Sequence, residues 1–97
     1  MTIDKELANG KLTLKVGGRL DTNTSPDLLA ALKCDGATSV EFDFADLEYI
    51  SSAGLRVLMT AQKAMMLCGG KMSVSKPNAT VMDVFDITGL SSVFTIV

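Results

Sequence analysis

The sequence predicts an α/β fold in which a mixed, mostly parallel sheet of four to five strands carries helices mainly on one face. Three observations predict it. Short alternating runs and longer helix-spaced runs follow one another along the 97 residues, the order that builds parallel sheets from strand–helix–strand units. Asn9-Gly10 stands between the first two alternating runs, and that pair is the strongest short hairpin signal because both residues tolerate positive φ. The apolar spacing changes from two before Phe44 to helical after Ser52. Right-handed crossovers then place the helices mainly on one side of the sheet.

The hairpin strands are Ile3 to Leu7 and Lys11 to Val16. In the second, Leu12, Leu14 and Val16 share one face, and Lys11, Thr13 and Lys15 share the other. Gly17-Gly18 ends or bulges it. Arg19 to Thr24 reads as a loop. Thr24 or Ser25 caps a short helix with Pro26 in its first turn. Leu28, Leu29 and Leu32 form its apolar stripe, and it ends between Lys33 and Gly36. Thr38 to Phe44 is the third strand, with Val40, Phe42 and Phe44 bulky enough for a central position. Helical spacing then runs from Ser52 to Cys68 and stops at Gly69-Gly70. Lys71 to Ser75 is a fourth strand, stopped by Pro77. Asn78 caps a third helix through Val81, Met82 and Phe85, with Gly89 at its C-cap. Val93 to Val97 closes the chain as a short strand.

Composition narrows the function. A chain of this length makes one domain, residues 1–97, and buries roughly two-thirds of its unfolded surface. Hydrophobic residues are 47% of it, which excludes disorder. No run approaches the roughly 20 apolar residues that span a bilayer. Asp4 and Glu6 come early with no apolar core, so no signal peptide is read and a cytoplasmic protein is expected. The net charge is −2 with no Lys/Arg cluster, which argues against nucleic acid as a partner. Cys34 and Cys68 lack metal-ligand spacing and read as buried thiols in a reducing compartment. There is no histidine. That removes Ser-His-Asp and Cys-His catalysis and the commonest zinc ligand; a small hydrolase using Ser52 as nucleophile would need a Ser-Lys dyad. Phosphate-cradling glycine loops are missing too. Neither an enzyme, a metal nor a cofactor is expected.

The stretch from Asp46 to Leu58 organises the chain. Ser51 and Ser52 sit where strand and loop hand over to a helix, and either hydroxyl can accept a free first-turn N–H. Those N–H groups and the helix dipole also favour an anion, so a phosphate on Ser52 is electrostatically welcome there. At about 100° per residue, Gly54, Leu58, Ala61, Met65 and Cys68 fall on one side and should pack on the sheet. Ser52, Arg56, Met59, Lys63 and Met66 fall opposite. Methionines among basic residues suit an adaptable binding surface; the plainer alternative is that one or both tuck under a neighbouring loop.

Three segments, in order, resemble the STAS domain family and its anti-sigma factor antagonists. Asp46-Leu47, Ser52, Gly54 and Leu55 match the phosphorylation-site segment. Gly18-Arg19-Leu20-Asp21 is similar to the Gly-x-Leu-Asp segment, and Phe85-Asp86-Ile87-Thr88-Gly89-Leu90 to the Phe-x-x-x-Gly-Leu segment. The resemblance implies the STAS fold, a phosphoacceptor at Ser52, and Asp21, Asp46 and Ser51 as its neighbours. It implies a binding switch whose partner is a serine kinase that is also an anti-sigma factor. That partner is held by the Ser52, Arg56, Met59, Lys63 and Met66 surface and released when Ser52 is phosphorylated. ATP belongs to the kinase, and a serine phosphatase resets the switch. The sequence departs from the kinase-regulated pattern at Ser51, where an acid is usual, and at Ala53, where a second hydroxyl is usual. The alternative is a STAS interaction module without a phosphorylation cycle, such as an accessory subunit of a lipid transporter or of a signalling assembly.

Overall fold

The computed structural model describes residues 1–32, 37–67 and 69–97. Its elements run β1 (Thr2–Ala8), β2 (Lys11–Leu20), α1 (Ser25–Ala31), β3 (Ser39–Asp43), β4 (Leu47–Ile50), α2 (Ser52–Leu67), β5 (Lys71–Ser75), α3 (Ala79–Thr88), a 3-10 turn (Leu90–Ser92) and β6 (Thr95–Ile96). The sheet order is β1-β2-β3-β5-β6, with β4 alongside β2. Among the described residues only the β1–β2 pair is antiparallel; β2–β3, β2–β4, β3–β5 and β5–β6 are parallel. Among the described residues no helix is long and apolar enough to cross a membrane.

The hairpin turns on Asn9 and Gly10, both at positive φ. Leu12, Leu14 and Val16 are buried, as are Val40, Phe42, Phe44, Met72 and Val74. The alternation therefore gives the sheet one apolar face, closed by Leu28 of α1, Leu58, Ala61 and Met65 of α2, and Val81 and Phe85 of α3. On the polar side Glu41 pairs with Lys11 at 2.7 Å and accepts the Ser75 hydroxyl at 2.9 Å, tying three strands together.

Six strands form where four to five were expected, and β4 is the addition. Residues 47–50 lack strict alternation, so they read as loop. In space, β2 is long enough to hold two parallel partners end to end: Lys11–Lys15 pairs β3, and Gly18–Leu20 pairs β4. The chain passes from β3 to β4 through a tight turn in which the Leu47 N–H donates to the Phe44 carbonyl at 3.0 Å. Gly18 takes φ 86° where the β2–β4 register shifts, a conformation glycine adopts without a steric penalty. Arg19 and Leu20 consequently lie in β2, and the loop is only Asp21–Thr24. The first helix stops at Ala31, before the 33–36 boundary expected from sequence. Within it Leu28 is buried but Leu29 is 47% exposed. The last strand is shorter than residues 93–97. The expectation of buried Cys34 and Cys68 thiols lies outside the described residues, as does the Cys68 end of the main helix.

Candidate functional site

The parallel pairing of β2 with β4 brings the chain's two matched segments to one edge. Leu20 faces Ile50 in register, and the Ser51 N–H donates to the Leu20 carbonyl at 2.8 Å. Asp21 leaves β2 and Ser51-Ser52 leave β4 side by side, since paired strands lie about 4.8 Å apart. Gly54 then lets α2 descend onto both strands. A Cβ there would stand 2.8 Å from Ile50 Cγ1 and 2.8 Å from Leu20 Cγ.

At the head of α2 the two serines separate. The Ser51 hydroxyl accepts the Gly54 N–H at 3.4 Å, and the Ser51 carbonyl accepts the Leu55 N–H at 3.0 Å. Ser51 is half-buried and acts as the cap. Ser52 is the first helical residue, exposed, and its hydroxyl makes no hydrogen bond among the described residues.

Asp21 organises the facing loop. Its Oδ1 accepts from the Asn23 N–H at 3.0 Å, the Thr24 N–H at 3.1 Å and the Thr24 hydroxyl at 3.1 Å. Partial burial by itself pushes this carboxyl up. The Thr24 and Asn23 hydrogen bonds and the Arg19 charge outweigh it and hold the carboxyl below its ordinary value. Thr24 is the N-cap of α1, but its side chain makes no capping bond; the hydroxyl turns back to Asp21 and to the Arg19 carbonyl. Arg19 lies with Nε 4.0 Å from Asp21 Oδ2 and its guanidinium 4.4 Å from the centre of the Tyr49 ring.

The site thus gathers Asp21, Ser51 and Ser52. It does not gather Asp46. That residue precedes β4, at the end where its carbonyl accepts the Gly18 N–H at 3.0 Å, and a strand of this length separates it from Ser52 by roughly 15 Å. Asp46 therefore does not stand beside Ser52, where the resemblance had set it. Along α2, Ser52, Arg56, Lys63 and Met66 are exposed, Met66 at 69%. Met59 is half-buried against the core. The buried arc of α2 is wide, with Leu55 and Val57 flanking Leu58, and Met59 lies beside Leu55 around the helix. A groove of about 250 Å³ opens between α1 and α2, lined by Pro26, Leu29, Ala53, Arg56, Val57 and Thr60 among others. The sequence pointed to neither this groove nor the Arg19–Tyr49 stack. Arg19 sat at the variable position of a matched segment, with nothing to place it against Tyr49 until β4 was known. Asn78, read only as a helix cap, also fastens β4: Oδ1 accepts the Val81 N–H at 2.8 Å, and Nδ2 donates to the Leu47 carbonyl at 2.9 Å.

Comparison with known proteins agrees with this fold. The family model described as "Mlab, STAS domain" matches residues 3–97. An anti-sigma factor antagonist named BtrV, from Bordetella bronchiseptica, is 33% identical over 97 residues, covering 97% of this chain and 82% of the relative. The unphosphorylated form of the anti-sigma factor antagonist SpoIIAA superposes with a TM-score of 0.86 at 20% identity, over 99% of this chain and 88% of that one. The phosphorylated form of SpoIIAA, named as a Bacillus cell fate determinant, gives 0.78 at 19% identity, over 99% and 91%. At that identity the two structures speak for the fold.

Proposed function

The chain belongs to the STAS domain family, and we propose that within it this protein is an anti-sigma factor antagonist switched at Ser52. It is a cytoplasmic binding protein and not an enzyme. Unphosphorylated, the surface of Ser52, Arg56, Lys63 and Met66 holds an anti-sigma factor that is also a serine kinase, and a sigma factor is freed. The kinase, using its own ATP, phosphorylates Ser52 and lets go; a serine phosphatase restores the acceptor.

One observation carries this reading: Ser52 is exposed with an unengaged hydroxyl while its neighbour Ser51 does the capping. A phosphate there adds about −1.5 to −2 charges at the edge where Asp21 is held ionised. Like charges brought together in an interface cost several kcal/mol, and each 1.4 kcal/mol or so is tenfold in affinity. The recorded existence of SpoIIAA in phosphorylated and unphosphorylated forms supports such a cycle on this fold. The test is to incubate wild type, Ser51→Ala and Ser52→Ala with the cognate kinase and ATP and to locate phosphate by mass spectrometry. Phosphate should appear on Ser52 in the first two and nowhere in the third. Phosphate on Ser51 of the Ser52→Ala protein would move the switch by one residue.

A second reading is a STAS interaction module without a phosphorylation cycle, in a transporter or signalling assembly. The observation in its favour is Ser51 itself, a neutral cap at the position where kinase-regulated members usually carry an acid. An unmodified wild type beside a kinase proven active would decide for it.

A further inference from the structure

The geometry points to Arg19 as a side chain that receives the phosphate on Ser52, closing on it from the strand side while Arg56 closes from the helix side. The inference rests on Ser52 as the acceptor but not on which kinase acts there.

Direction supports it. Arg19 faces Tyr49 in register, and its guanidinium approaches Asp21, the first residue beyond the end of β2. The side chain therefore leans along the strand toward the edge from which Ser52 departs. Ser52 lies three residues beyond Tyr49, the partner of Arg19, roughly 10 Å at about 3.3 Å per residue, a gap that an arginine side chain and a phosphoserine side chain span together. On the helix side, Arg56 stands one turn below Ser52, and helical side chains tilt toward the N-terminus.

The way Arg19 is held supports it as well. Its contact with Asp21 is a single approach at 4.0 Å, not a two-point pair, and its other contact is the face of the Tyr49 ring. The side chain is 63% exposed. Asp21 Oδ1 already accepts three hydrogen bonds, so Arg19 meets this carboxylate only at Oδ2. Arg19 is a loosely held guanidinium whose fork matches the oxygens of a phosphate better than its present partners.

Charge completes the argument. Before modification this edge carries Arg19 and Arg56 against the single carboxylate of Asp21, and Arg56 has no ion pair among the described residues. That leaves one positive charge in excess, and a phosphate of about −1.5 to −2 brings the cluster close to neutral. The neutral cap at Ser51 adds no opposing charge. The phosphorylated state is then a settled conformation of the free protein, in which Arg19 has left the Tyr49 ring.

The experiment places phosphoserine at position 52 by genetic encoding, so no kinase is needed, and follows its second ionisation by phosphorus NMR. The midpoint should lie below the value of about 6 for a free phosphoserine, and Arg19→Gln should raise it by roughly half a unit, a fraction of the shift seen for buried pairs because this site is exposed. Arg19→Lys, which keeps the charge and loses the fork, should fall between. Tyr49 is the only tyrosine and there is no tryptophan, so the ring resonances give a second readout: they should move on phosphorylation in the wild type and stay in place in Arg19→Gln. A midpoint that Arg19→Gln leaves unchanged overturns the assignment, whatever Arg56→Gln does. Failure of the kinase to modify Ser52 would count against the proposed switch and leave this titration to be judged alone.

Discussion

At the head of α2 two adjacent hydroxyls have been given different tasks by the backbone. Ser51 is fixed by its N–H to Leu20 and spends its oxygen on Gly54. Ser52 spends nothing. Two expectations about stability follow and are read by urea unfolding. Ser51→Ala should cost about 0.5–1 kcal/mol, the low end for a lost cap because the bond is long. Ser52→Ala should stay within about 0.5 kcal/mol of wild type, as an exposed substitution does. If Ser52→Ala proves the more costly, the caps have been assigned the wrong way round. The sequence alone left both serines as possible caps, because the choice depends on where β4 ends. Asp21 was legible as a loop acid, and only the resemblance set it beside Ser52. Asp46 was misplaced because a match in sequence carries no distance, and four strand residues intervene.

Helix α2 shows the same division at the scale of an element. Its inner side was legible: spacing alone put Gly54, Leu58, Ala61 and Met65 inward, and all four are buried. Its outer side was legible only in part, since the width of a buried arc depends on neighbours that periodicity does not reveal. Leu58→Ala should therefore cost about 2–5 kcal/mol, while Met66→Glu should leave stability nearly unchanged and weaken partner binding. Met59→Glu should destabilise, because that side chain packs on the core. In the sheet, Lys11 and Ser75 hold the Glu41 carboxyl below its ordinary value against the opposing push of burial. A carboxyl lowered in the folded state stabilises above its unfolded pKa, and that contribution is lost as pH falls through the folded one. Wild type should thus lose more stability than Glu41→Gln as the pH is taken from about 7 to below about 4. Parallel loss in both proteins would show that the Lys11–Glu41–Ser75 link does not couple to folding.

Across the whole molecule, the sheet gathers distant segments and the helices close over its apolar face. The hairpin, the parallel order and the three helices were legible because each has its own period and its own punctuation: Asn9-Gly10, Pro26, Pro77 and Gly89. The strand β4 was not, because it is four residues long and its pairing is fixed by the length of β2, not by a pattern of its own. Yet β4 brings Ser51-Ser52 to the edge where Asp21 leaves β2, with Asn78 fastening its far end to α3. On the proposed reading the molecule is a platform whose partner surface changes by charge at Ser52. The most direct test is calorimetric titration of the cognate anti-sigma factor with two forms of this chain, one unmodified and one carrying phosphoserine at position 52. The unmodified form should bind, and the phosphorylated form should bind at least about 100-fold more weakly, as a cost of roughly 3 kcal/mol or more requires. Equal affinity for the two forms would contradict the switch.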